Sequence, residues 1–142
     1  MQRERPALSV VDGDLAGVRI AQSLVHARER IDIPVRDVRK IEPLAEQTFF
    51  FSDTWMSKTY PMPHVRLEFA PHVGARIHRL TSQIVGQELA IMVAGEIVSR
   101  PIVREPRGLR ETMCISVHDI AAAEELAAKL REGWVVPNLR LA

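Results

Sequence analysis

Few residues in this 142-residue chain have the chemistry for catalysis or metal binding: five histidines, one cysteine and isolated serines. His64, His72 and His78 come closest to a ligand set. His72 and His78 are six apart, which places them on different sides of an ideal helix rather than at the i, i+4 spacing of a metal site. Surface histidines are the expectation, and no His-Glu-x-x-His pattern occurs. His118 precedes Asp119 and is expected to pack at a helix entrance. Nucleophilic catalysis needs a base within hydrogen-bond reach and an oxyanion donor. Ser99, Ser116 and Cys114 are the possible nucleophiles, but Ser99 lacks a Gly-x-Ser-x-Gly elbow. Cys114 falls in an alternating apolar segment, where a buried, inert thiol is expected. No phosphate-cradling glycine motif is present. The expectation is a protein that is no enzyme, with no catalytic residue, cofactor or metal.

Recognition chemistry is better represented. Phe49, Phe50, Phe51, Trp55 and Tyr60 are five of the seven aromatic residues in the chain, gathered within twelve positions. That is more than a short connecting segment needs, and aromatic anchors dominate many protein interfaces. Two readings stand: the rings form a partner-binding surface, or they cover a sheet and complete the core. Arg100, Arg104, Arg107 and Arg110 gather around one strand end and its loop, where they could meet acidic partners or lipid headgroups. Glu105 and Glu111 interrupt them, so a solvated, partly paired loop is the plainer reading.

Bulk properties narrow the classes. Nineteen Lys and Arg against eighteen Asp and Glu leave no strongly basic face, which argues against nucleic acid. The apolar segments 89–93 and 113–117 also lack the aromatics of an RNA-binding sheet. Hydrophobic residues at 46% and charged residues at 26% are those of a globular protein. One cysteine excludes an internal disulfide and a cysteine-based zinc cluster. No apolar run approaches the roughly 18 to 20 residues of a membrane span. The start Met-Gln-Arg-Glu-Arg-Pro is not followed by a signal-type segment, so a soluble module is expected.

The elements that must position these residues are clearest in the carboxy-terminal half. Val65, Leu67 and Phe69 alternate with Arg66 and Glu68, the period of a half-buried strand. Pro71 opens a helix whose Val73, Ile77, Leu80 and Ile84 form one stripe, and Gly86 suits a left-handed end. Residues 89–93 form a strand, Ala94-Gly95 a turn in which Gly95 supplies the left-handed residue, and residues 97–103 the return, with Pro101 at an edge or bulge. Residues 111–117 alternate as a further strand. Asp119 caps a helix carrying Ile120, Ala123, Leu126, Ala127 and Leu130, which Gly133 closes. The order β-α-β-β-β-α predicts an α+β fold, a mainly antiparallel sheet with two helices packed on one face. Residues 65–142 are expected to form the domain and residues 1–64 an amino-terminal extension. In that extension Asp14 caps a short helix from Leu15 towards Ala27, and Ile31, Ile33 and Val35 mark a strand.

These residues resemble a known family, the head subdomain of the first periplasmic domain of SecD, a subunit of the bacterial protein-export machinery. The resemblance rests on Thr81, Val85-Gly86, Leu89-Ala90-Ile91, Gly95, Val98-Ser99, Pro101-Ile102 and Gly108. Ala123, Leu126-Ala127, Leu130-Arg131 and Gly133 complete it, so that it covers residues 65–139. The chain departs from the family pattern at Ala94, where Asp is usual, at Ile84, where Asn is usual, and at Arg107-Gly108-Leu109, where paired glycines are usual. The resemblance implies a periplasmic or cell-envelope module that contacts polypeptide or an envelope protein, through the aromatic and arginine residues named above. A structural protein that self-associates into a homo-oligomer is the alternative.

Overall fold

The computed structural model describes residues 18–105 and 112–135. Seven strands and two helices follow in the order β1 (Ile20–Val25), β2 (Arg30–Pro34), β3 (Val38–Phe51), β4 (Met56–Phe69), α1 (Pro71–Gln83), β5 (Ala90–Val93), β6 (Glu96–Ser99), β7 (Thr112–Ser116) and α2 (Ile120–Glu132), with a 3-10 turn at Val35–Asp37. From β4 onward this is the expected β-α-β-β-β-α order, and the fold is α+β with antiparallel pairing throughout the described strands.

The strands divide between two sheets, ordered β2-β1-β5-β6 and β3-β4-β7. Pairing crosses the 64/65 boundary, since β1 joins β5 and β3 joins β4. Residues from both sides of it, including Leu24, Ile31 and Ile33 with Val65, Leu67 and Phe69, share one buried cluster. The helices complete that cluster. Val73, Ile77 and Leu80 of α1 enter it as their spacing requires, as do Ala123, Leu126, Ala127 and Leu130 of α2.

The expected helix from Leu15 towards Ala27 is not formed: Ile20–Val25 is a strand, while Asp14, Leu15 and Gly17 lie outside the described residues. Its position explains the misreading. β1 lies between β2 and β5, and Ile20, Ala21, Gln22, Ser23 and Leu24 are all buried. A central strand covered on both faces loses the alternation that marks a half-exposed one.

Helix ends and turns follow local chemistry. The Asp119 carboxylate accepts from the Ala122 amide at 2.7 Å, and Gly133 adopts φ +70° at the C-cap of α2. At Gly133 a Cβ would lie 2.6 Å from Val35 Cγ2, so close packing as well as backbone conformation requires glycine. α1 ends at Gln83 with Ile84 as C-cap, and Gly86, φ +89°, stands two residues beyond it. The β5–β6 turn differs from expectation because Ala94 and Gly95 both have positive φ, 52° and 82°. Two left-handed central residues define a type I′ hairpin turn, the one that matches strand twist. Residues 97–103 do not form one continuous strand: β6 stops at Ser99, and Ile102 then bridges Glu88. Pro101, which has no amide donor, falls between them.

Candidate functional site

The aromatic segment, read from sequence as a connection, is the far end of a long hairpin. β3 and β4 are each 14 residues and pair from Val38↔Phe69 to Phe51↔Met56. β7 pairs with β4 only from Glu68 back to His64. Beyond a register irregularity between Leu44 and Glu46, the hairpin therefore continues as a two-stranded ribbon. Its residues 46–51 and 56–61 have no third strand among the described residues.

Register assigns each aromatic to a face, because directly paired residues project to the same side and successive residues alternate. Phe49, Phe51, Met56, Lys58 and Tyr60 share one face, through the pairs Phe49↔Lys58, Phe51↔Met56 and Gln47↔Tyr60. Phe49 and Tyr60 meet edge to face at 5.8 Å. Phe50 lies on the opposite face with Thr48, Ser57 and Thr59, and meets the turn residue Trp55 at 5.8 Å, again edge to face. Thr48 and Thr59 hydrogen-bond through their hydroxyls at 2.7 Å. The ribbon thus exposes aromatic rings on both faces, among hydroxyl side chains on the face of Phe50.

None of these rings completes the core. Trp55 is 81% exposed, Phe50 58%, and Phe49, Phe51 and Tyr60 are exposed as well. Trp55 also has φ 56°. A left-handed conformation costs a residue with a Cβ about 1–2 kcal/mol. No burial of the indole offsets that cost here.

The two sequence-predicted groups are partly brought together. Gln47 and Phe49 reach a cleft also lined by Ile77, Leu89, Ile91, Met113 and Arg104. Arg100 instead faces Glu88, its guanidinium 3.9 Å from the carboxylate. Arg107 and Arg110 lie outside the described residues.

Cys114 and two of the histidines differ from expectation. Cys114 is exposed, not buried. Ile115 takes the core side of β7, so Cys114 projects outward opposite Arg66 of β4. His64 is buried, and its Nδ1 lies 2.7 Å from the Met62 carbonyl. His118 does not pack at the helix entrance but is exposed, with Nε2 3.5 Å from the Asp119 carboxylate. His72 likewise stands 3.4 Å from Asp37. Among the described residues no group of three or more His, Cys, Asp or Glu converges as a metal site.

One buried polar constellation was not evident from sequence. Asp32, fully buried on β2, accepts from Ser23 Oγ at 2.5 Å and Arg30 Nε at 2.9 Å. Ser23 and Asp32 are register partners, so the contact locks β1 to β2. Beside it Gln22 donates through Nε2 to Met113 Sδ at 3.3 Å and links the two sheets. Alternation around Asp32 carries the only sequence signal, and it cannot reveal that the polar face is covered.

The family profile of the SecDF P1 head subdomain matches residues 52–135. The chain belongs to this family. Among relatives of this P1 head module, the protein translocase subunit SecDF of Thermus thermophilus is 28% identical over 80 residues. Those residues are 56% of this chain and 11% of that protein, so the chain spans a small part of the relative it matches. Two solved structures share the fold. One, described as a membrane component SecDF that enhances protein export, aligns over 98% of this chain and 78% of its own, with TM-score 0.54 and 18% identity. The other, SecDF in a super-membrane-facing form, aligns over 78% of this chain and 13% of its own, with TM-score 0.51 and 22% identity. Among the described residues of this P1 head no helix is long and apolar enough to cross a membrane.

Proposed function

We propose that this P1 head is a non-catalytic cell-envelope module of protein export that binds unfolded polypeptide, or an envelope partner, through the distal β3–β4 ribbon. Phe49, Phe50, Phe51, Trp55 and Tyr60 are its contacts, and Arg104, which lines the same cleft as Phe49, stands at its rim. The observation that carries this reading is the double-sided exposure of the aromatic ribbon. Clustered exposed apolar side chains mark interaction surfaces, and aromatic anchors supply much of their energy. A strained, exposed Trp55 at the turn adds support, because strain retained without a packing gain points to a role outside the fold. Membership of the SecDF P1 head family supports the export context, and the cell-envelope setting follows by resemblance.

Amide NMR during titration with an unfolded secreted polypeptide tests the proposal, with a charge-matched polar peptide as control. Saturable shifts confined to residues 46–61 and 100–110 are expected. Absence of shifts at high polypeptide concentration would remove the binding role and favour a structural one.

A further inference from the structure

The ribbon also carries information about which polypeptides it takes. β3 is the outermost strand of its sheet. Near the core its edge is occupied: Arg131 of α2 donates to the Ile41 carbonyl at 2.7 Å. Along residues 48–51 no described residue pairs with that edge. A strand edge presents alternating amide and carbonyl groups that an extended chain can satisfy. Here the edge is flanked by apolar side chains above and below, Phe49 and Phe51 on one face and Phe50 with Trp55 on the other.

An added strand places successive residues on opposite faces. Beside an ordinary amphipathic edge its best sequence alternates apolar and polar. Beside this one, residues of the added strand opposite Phe49, Phe50 and Phe51 meet an aromatic neighbour on whichever face they project to, and only Thr48 presents a hydroxyl. Resting on the polypeptide-binding reading above, we propose that residues 48–51 of β3 accept an extended chain as an additional strand and select uninterrupted apolar runs over alternating sequences of the same composition. Exposed rings on both faces are the reason for preferring this occupant to a second folded protein, whose surface would cover one face and leave the rings of the other in water.

Three synthetic peptides and the full chain provide the test. The first peptide has an uninterrupted leucine and valine run between serines, the second interleaves the same residues, and the third repeats the first with its run amides N-methylated. Fluorescence anisotropy should show the run bound about ten-fold more tightly than its interleaved isomer, the loss of two or three cross-strand apolar pairs. N-methylation should abolish binding. Phe50→Ser should bring the two isomers to similar affinity while leaving the thermal transition unchanged.

Equal affinity of the isomers for the unaltered protein, or retained binding of the methylated run, overturns strand addition and leaves polypeptide binding standing. No binding of any peptide overturns both. Vesicles of phosphatidylethanolamine and phosphatidylglycerol, and sedimentation across protein concentration, complete the set. Association with either, in a protein that ignores all three peptides, reassigns the ribbon to lipid or to a second copy.

Discussion

β4 is one continuous strand living in two environments. From Val65 to Phe69 its alternate side chains are buried against both helices' cluster, and β7 closes its second edge. From Met56 to Met62 the same strand has only β3 beside it, and Met56, Tyr60 and Met62 are exposed. Hydrogen bonding to β3 continues through both halves, so backbone pairing does not separate them. Burial does. The proximal half derives its stability from apolar area removed from water, while the distal half keeps apolar area in water, at a cost that folding does not recover. A surface of that kind is available to a partner.

Substitutions on either side of this divide should differ most. Phe69→Ala removes a nearly fully buried ring and should cost about 3–5 kcal/mol in urea unfolding. A change below about 1 kcal/mol would show that the packed half is not what holds the domain. Gly133→Ala should follow, at about 1–3 kcal/mol, from its backbone conformation, increased by the overlap with Val35. Gly86→Ala isolates the conformational part, because nothing lies within 4 Å of the added methyl, and should cost about 1–2 kcal/mol. Equal losses at the two glycines would mean that Val35 yields without penalty.

Smaller effects are expected elsewhere. Asp119→Ala should lose about 1 kcal/mol with the α2 cap, read by the thermal midpoint and by amide exchange at Ala122. Ala94→Asn should raise stability by about 0.5–1 kcal/mol, since Asn-Gly suits the type I′ turn that Ala-Gly occupies under strain. Phe50→Ala should change stability by no more than about 0.5 kcal/mol while weakening polypeptide binding. A large unfolding effect there would join the ribbon to the packed half and remove the contrast between them.

Much of the packed half was legible in the sequence. The stripe from Val73 to Ile84, the cap at Asp119 and the alternation of Val65, Leu67 and Phe69 are local patterns, each repeated over several turns or residues. β1 was not legible, because burial on both faces erased its period. The aromatic residues were recognised as candidates, but their hairpin was not. Pro43, Pro61 and Pro63 interrupt the strand pattern there: Pro43 lies on the edge strand β3, and Pro61 and Pro63 at the register irregularity of β4, where prolines are tolerated. Cys114 is exposed because Ile115 takes the core side of β7, as the alternation of Met113, Ile115 and Val117 implies. His64 is buried although its neighbour Val65 already faces the core, and alternation cannot tell that a second face is covered as well.

The sequence by itself determined the element order from β4 onward, the α+β class, the residues that end α2, and the family. Those depend on interactions between near neighbours in the chain or on residue patterns. Tertiary structure alone decided that the strands split into two sheets, that Asp32 is buried with Ser23 and Arg30, and that five aromatic rings stand in water on a ribbon. Each of these depends on which distant segment arrives to cover a surface, and a side chain's type records its preference for burial without recording whether a partner comes.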